Sequence, residues 1–149
     1  MINWQREFTA RGGWWVIAQV PVMLGAFGIP LLSGAASFDG KNVAQLTGGV
    51  LTALGLLLLV AGITALGRAL TPFPHPRENA LLRQSGVYGW VRHPIYSGLI
   101  IASIGWTVAW LSVIGLLFSV VVFMFFDRKS AFEERLLRTR FSEYTDYSA

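Results

Sequence analysis

The chain contains no cysteine, which excludes a disulfide framework and any thiolate metal site. Its two histidines come with no His/Glu cluster, so no metal centre is expected. Charge is scarce as well: 13% of the 149 residues are Asp, Glu, Lys or Arg, against 54% hydrophobic. A soluble domain of this size lacks the interior to hide so much apolar surface. The composition therefore points to a membrane protein built as one compact unit. The net charge of +4 is small, and no basic face with base-reading chemistry goes with it, which argues against nucleic acid as a partner. The opening residues, Met-Ile-Asn-Trp-Gln-Arg-Glu, lack a cleavable signal pattern, so the first apolar segment is expected to be retained.

What the chain has in quantity is long uncharged runs. Residues 14–33 are uncharged and long enough to cross a bilayer, with Pro21 and Pro30 predicting a kinked or broken helix. Residues 46–66 form a cleaner span, in which Gly48, Thr52, Gly55 and Gly62 offer a small-residue face for close helix approach. The run 95–126 is also uncharged; as one helix it would extend about 48 Å, well beyond the roughly 30 Å hydrocarbon core. Charge placement chooses between one helix and two. If the run turns near residues 110–112, all of the 12 basic residues except Lys41 fall on one side, as the positive-inside tendency requires. The expected architecture is thus all-α and integral to the membrane. It has four transmembrane helices at about 14–33, 46–66, 95–109 and 112–126, the last two a tight hairpin. Trp106 and Trp110 serve as interfacial anchors on the far side, and both termini are cytoplasmic.

The long polar connection 67–94 carries Thr71-Pro72-Phe73-Pro74-His75-Pro76, and a loop of that length in so small a protein is usually functional. After Asp127 a helix is expected to continue into water, with Glu133, Leu137, Phe141 and Tyr144 recurring on one side. In the hairpin arrangement the third helix begins where the fourth ends. Arg92 and His93 should then lie near Arg128, Lys129, Glu133 and Glu134. Opposed charges at a low-dielectric boundary, beside the hydroxyls of Tyr88 and Tyr96, suit a zwitterion such as an amino acid.

Gly86-x-Tyr88-x-x-x-Arg92-His93-Pro94-x-Tyr96-x-Gly98, followed by Glu133-Glu134-x-x-Leu137-x-x-x-Phe141 and Tyr144-x-x-Tyr147, is similar to the isoprenylcysteine carboxyl methyltransferase family. That family belongs to a wider group of integral-membrane methyltransferases that includes phospholipid N-methyltransferases. The resemblance covers residues 71–147 and implies one membrane methyltransferase domain, with cofactor-site segments at 71–98 and 127–147. It further implies an S-adenosyl-L-methionine site on the cytoplasmic side, contacted by Asn79, Ala80, Leu81, Leu82, Tyr88, His93, Pro94, Ile95, Tyr96 and Glu133. A basic residue four before that glutamate is associated in the family with the methyl acceptor. Lys129 holds this position with Arg128 adjacent, and either takes the role. Ser142 in place of a usual glycine, and a shorter run before Tyr144, depart from the family pattern in the tail.

Methyl transfer from a sulfonium to an anionic acceptor disperses charge, so a dry site at a membrane boundary suits it, and alignment is the protein's main task. A carboxylate acceptor needs no base; an ammonium acceptor would need one, for which His93 and Glu134 are candidates. The expected partners are the bilayer and an amphiphilic or small-molecule acceptor bearing a carboxylate, amine or thiol. Each residue also has a plainer reading: Arg92 as a topology anchor, Pro94 as a helix starter, Glu133 and Glu134 as solvated charges. Two rival functions follow. One is an NADPH-dependent membrane reductase of the sterol-reductase type, revealed by binding of NADPH in place of the methyl donor. The other is a non-catalytic scaffold subunit, in which Glu133→Ala would change only assembly or stability.

Overall fold

A computed structural model describes residues 8–33, 41–75 and 81–148. Among them there is no strand. Helix α1 spans Gly13–Leu32, α2 Lys41–Leu66, α3 Pro94–Ala109, α4 Val113–Arg140 and α5 Tyr144–Tyr147, with short 3-10 turns at Gly67–Ala69 and Gly86–Gly89. Pro21 and Pro30 lie inside α1, which nonetheless runs unbroken. The expected break is absent. A proline removes one ladder hydrogen bond, and Pro30 falls in the last turn, where α1 is held by packing against α4.

Two helices, Gly13–Leu32 and Lys41 through Ala69, are long and apolar enough to cross a membrane, and α3 is a shorter apolar helix. Their outer faces expose Ile17, Leu24, Leu32, Leu46, Leu57 and Val60, and the first half of α4 exposes Val113, Leu117, Val120 and Phe123. Apolar surface this continuous is stable against lipid and not against water.

Among the described elements the most extensive contact is between α2 and α3. Gly48, Gly55 and Gly62 are buried at seven-residue spacing on α2, facing Gly98, Ala102, Gly105 and Ala109 on α3. A methyl group added at Gly55 would meet the backbone of Ala102 and lie 2.7 Å from the Gly98 carbonyl; one at Gly105 would meet Thr52 N and lie 2.7 Å from the Gly48 carbonyl. The backbones therefore touch, which only small residues permit. The topmost of these glycines, Gly62, receives Ile95, so the zipper ends where the Arg92–Tyr96 segment begins.

Helix α3 closes with Leu111 N–H on Val108 O at 3.1 Å and Ser112 N–H on Thr107 O at 3.0 Å. This is a Schellman cap, with Leu111 at φ 54 in the position glycine usually takes. Ser112 then caps α4 by accepting from Gly115 N–H at 2.8 Å, and its hydroxyl pairs with that of Ser33 at 2.6 Å. At the same end the Trp106 indole donates to Phe27 O at 3.0 Å, tying α3 to α1. A small apolar core of Ala26, Val122 and Phe126 joins α1 to α4.

The charged half of α4 continues to Arg140. There the expected single tail helix ends. Phe141 is extended (φ −118, ψ 112), and a turn through Ser142 and Glu143 leads into α5, with Tyr144 N–H bonded to Phe141 O at 3.1 Å.

Candidate functional site

Pro94 occupies the first turn of α3, where its missing N–H costs nothing. His93 closes that turn through its carbonyl, which accepts from Ser97 N–H at 2.9 Å. This fixes Arg92, His93 and Tyr96 at one end of the zipper, opposite the start of the charged half of α4. Tyr96 donates to Glu133 Oε2 at 2.9 Å. His93 Nε2 lies 3.2 Å from Glu134 Oε1, and its Nδ1 3.9 Å from Glu133 Oε2. Glu134 also meets Arg92 at 3.6 Å and Arg138, one turn on, at 3.7 Å. The rings of His93, Tyr96 and Phe126 form a stack, with centroids 5.5 and 5.1 Å apart.

A cavity of about 300 Å³ opens at this junction, at the lower end of the range for small-molecule sites. Its walls come from α1 (Gln19), the end of α2 and the turn after it (Ile63 to Pro74), residues 81–83, and Tyr88. Arg92, His93, Ile95, Tyr96 and Leu99 supply the α3 side. The α4 side and the tail contribute Lys129, Glu133, Leu137, Phe141, Tyr144 and Tyr147. The stripe of Glu133, Leu137, Phe141 and Tyr144 read from the sequence is thus one wall of the cavity, spread over α4, a bend and α5.

Lys129 is the unusual group. It is 1% exposed, yet among the described residues its hydrogen-bond acceptors are both neutral: Gln19 Oε1, and Pro72 O at 3.4 Å. Its ammonium also sits 5.2 Å from the centre of the Tyr96 ring. Burial pushes its pKa from 10.5 down to about 8, and nearby Glu133 opposes that shift. Glu133 itself is raised above the ordinary carboxylate value by burial; His93, the Tyr96 hydrogen bond and Lys129 pull it back, while Glu134 adds to the rise. The Tyr88 phenol is raised, first by burial and then by Glu133 and Tyr147. Its hydroxyl lies 3.5 Å from Gly62 O, and its own carbonyl accepts from the Tyr147 hydroxyl.

Of the residues singled out in the sequence, Leu81, Leu82, Tyr88, Arg92, His93, Ile95, Tyr96, Lys129 and Glu133 line this cavity. Pro94 is buried behind it. Glu134 stands outside the lining, in the ion-pair cluster with Arg92, His93 and Arg138. Arg128 is exposed and absent from the lining, so Lys129 is the member of the pair that faces the cavity. Asn79 and Ala80 lie outside the described residues. Sequence reasoning missed Gln19 as a cavity residue. The available signal was a lone amide in an apolar helix, a residue type that seeks an internal partner in a membrane.

The profile of the phospholipid methyltransferase family matches residues 43–144. Protein-S-isoprenylcysteine O-methyltransferase B of Arabidopsis thaliana is 36% identical over 99 residues, which cover 64% of this chain and 50% of that protein. The chain therefore spans about half the length of the curated relative it matches. No solved structure matches. The profile match takes in α2, α3, α4 and most of the cavity wall between them, and the chain belongs to the phospholipid methyltransferase family.

Proposed function

We propose that the protein is an integral-membrane methyltransferase that uses S-adenosyl-L-methionine and acts on a carboxylate-bearing amphiphile at the cytoplasmic face of the membrane. The observation that carries this reading is the cavity that sets the buried Lys129 ammonium against the Glu133 carboxylate between apolar walls. In this reading α1, α2, α3 and the first half of α4 cross the bilayer four times, α3 and α4 as a hairpin, with both termini on the cavity side. The cavity then sits where the apolar faces give way to the charged half of α4.

The donor set suits such a cofactor. Glu133, with Tyr96 and His93 around it, answers a cationic group; Arg92 answers an anionic one; Ile95, Leu99, Leu137 and Phe141 supply apolar walls. S-adenosyl-L-methionine supplies an electrophilic methyl when bound. The chain's own residues hold and align. Tyr96 fixes Glu133, and the His93–Tyr96–Phe126 stack fixes Tyr96. Lys129 has two neutral acceptors and three N–H bonds, which leaves one donor for an anion. A carboxylate there needs no base, consistent with the Arabidopsis relative being an O-methyltransferase.

Calorimetry of the detergent-purified protein with S-adenosylhomocysteine tests the reading directly. Binding is expected, and transfer of labelled methyl into a carboxyl-bearing lipid fraction should follow. Absence of binding overturns the proposal.

A further inference from the structure

Two buried side-chain polar atoms have no hydrogen-bond partner among the described residues, Trp15 Nε1 and Tyr144 Oη. Trp15 packs against Phe125 and Phe132 and does not line the cavity. Tyr144 does line it, at 1% exposure the largest of the fully buried side chains. A buried hydroxyl left without a partner is costly and uncommon, and usually marks a missing ligand or water.

Two contacts pin the tail carrying Tyr144 over the cavity, and a third orders the tail internally. The Tyr147 hydroxyl donates to the Tyr88 carbonyl, Arg92 Nη1 donates to Ser148 O at 3.3 Å, and the Tyr144 and Tyr147 rings meet edge to face at 5.7 Å. These contacts hold the phenol in place without using its O–H. Its electrical surroundings are mixed: burial and Glu134 disfavour its ionised form, while Arg92 favours it. A neutral phenol donor beside a guanidinium with spare N–H groups suits a carboxylate, and the neighbouring glutamates suit an ammonium. Both charges occur together in an α-amino acid.

We propose that Tyr144 is a ligand-binding residue of the cavity, its O–H donating to the carboxylate at the amino-acid end of the methyl donor beside Arg92. This rests on the methyltransferase reading above and assigns a direct contact to the tail that follows α4.

Tyr144→Phe is the test, read by calorimetry with two ligands, S-adenosylhomocysteine and 5′-methylthioadenosine, which lacks the amino-acid end. The variant should lose about tenfold in affinity for S-adenosylhomocysteine, as expected for a hydrogen bond to a charged group, and stay within about twofold for 5′-methylthioadenosine. Its unliganded melting temperature should be unchanged or higher, because the hydroxyl it removes has no partner among the described residues. Equal loss for both ligands, no loss for either, or a lowered unliganded melting temperature each overturns the assignment while leaving the methyltransferase reading standing. Failure of the wild-type protein to bind either ligand removes both.

Discussion

Tyr96 and Glu133 are joined by a 2.9 Å hydrogen bond that runs from the first turns of α3 to the charged half of α4. The phenol donates, and the carboxylate receives a partner at a place where burial raises its pKa. Removing the donor alone leaves the acceptor buried and less satisfied, which costs about 1–3 kcal/mol. Tyr96→Phe is therefore expected to lower the melting temperature and weaken S-adenosylhomocysteine binding. Combined with Glu133→Gln, the two losses should be strongly non-additive in a double-mutant cycle. Strictly additive effects would show that the bond does not organise the site.

Lys129 gives a pH dependence of definite sign. With its pKa lowered to about 8, it is a cation below that pH and progressively neutral above it. The kcat/KM for an anionic acceptor should fall about tenfold per pH unit above about 8, and Lys129→Arg should flatten that limb. Gln19→Leu removes one acceptor from the buried ammonium and should move the limb to lower pH. Stability has the opposite slope. The unfolded chain binds more protons than the folded one between about 8 and 10.5, so wild type should gain melting temperature across that window relative to Lys129→Met. A rate that rises with pH over the same range would contradict the anionic acceptor.

The glycine zipper separates two kinds of glycine on α2. Gly55→Leu forces a side chain into the Ala102 backbone and should cost several kcal/mol, at or above the roughly 1–3 kcal/mol of ordinary overpacking. Gly49 has nothing within 4 Å of an added methyl, and Gly49→Ala should be neutral or stabilising by up to about 1 kcal/mol. Thermal unfolding in one detergent compares the two. A well-folded Gly55→Leu would refute the contact.

The absence of cysteine makes topology testable without a background to remove. Val113→Cys and Thr139→Cys, both at exposed positions, place a thiol at the start and near the end of α4. In sealed inverted vesicles an impermeant maleimide should label Thr139→Cys and spare Val113→Cys. Labelling of both from one side would exclude the four-crossing arrangement.

Much of the frame was legible because it follows from patterns a chain carries locally. Glycines repeating every seven residues on α2 implied a close partner, and α3 supplies it. The uncharged run 95–126 is divided between two helices at residues 110–112, where the placement of the basic residues calls for a turn. Pro21 and Pro30 do not break α1, because a helix tolerates the loss of one hydrogen bond when its neighbours remain helical and packed. The site divided differently. The Arg92–Tyr96 and Glu133 boxes were readable as motifs, but Gln19 reaches Lys129 across 110 positions of sequence. No local pattern encodes that pairing. The break at Phe141 was equally hidden, since Leu137, Phe141 and Tyr144 keep a helical spacing whether or not the helix continues.

The seven-residue glycine repeat also sets how deep the cavity lies. Sliding α3 along α2 by a fraction of a helical turn, whose full rise is about 5.4 Å, would bring side chains onto the positions where Gly48, Gly55 and Gly62 now admit bare backbone. Small displacements are thereby forbidden, so Ile95 and the residues before it are held at one level relative to the lipid. If the acceptor is the proposed carboxylate-bearing amphiphile, it would meet Lys129 at a fixed height, and the length of the spacer between its tail and carboxylate would be a property the protein can measure.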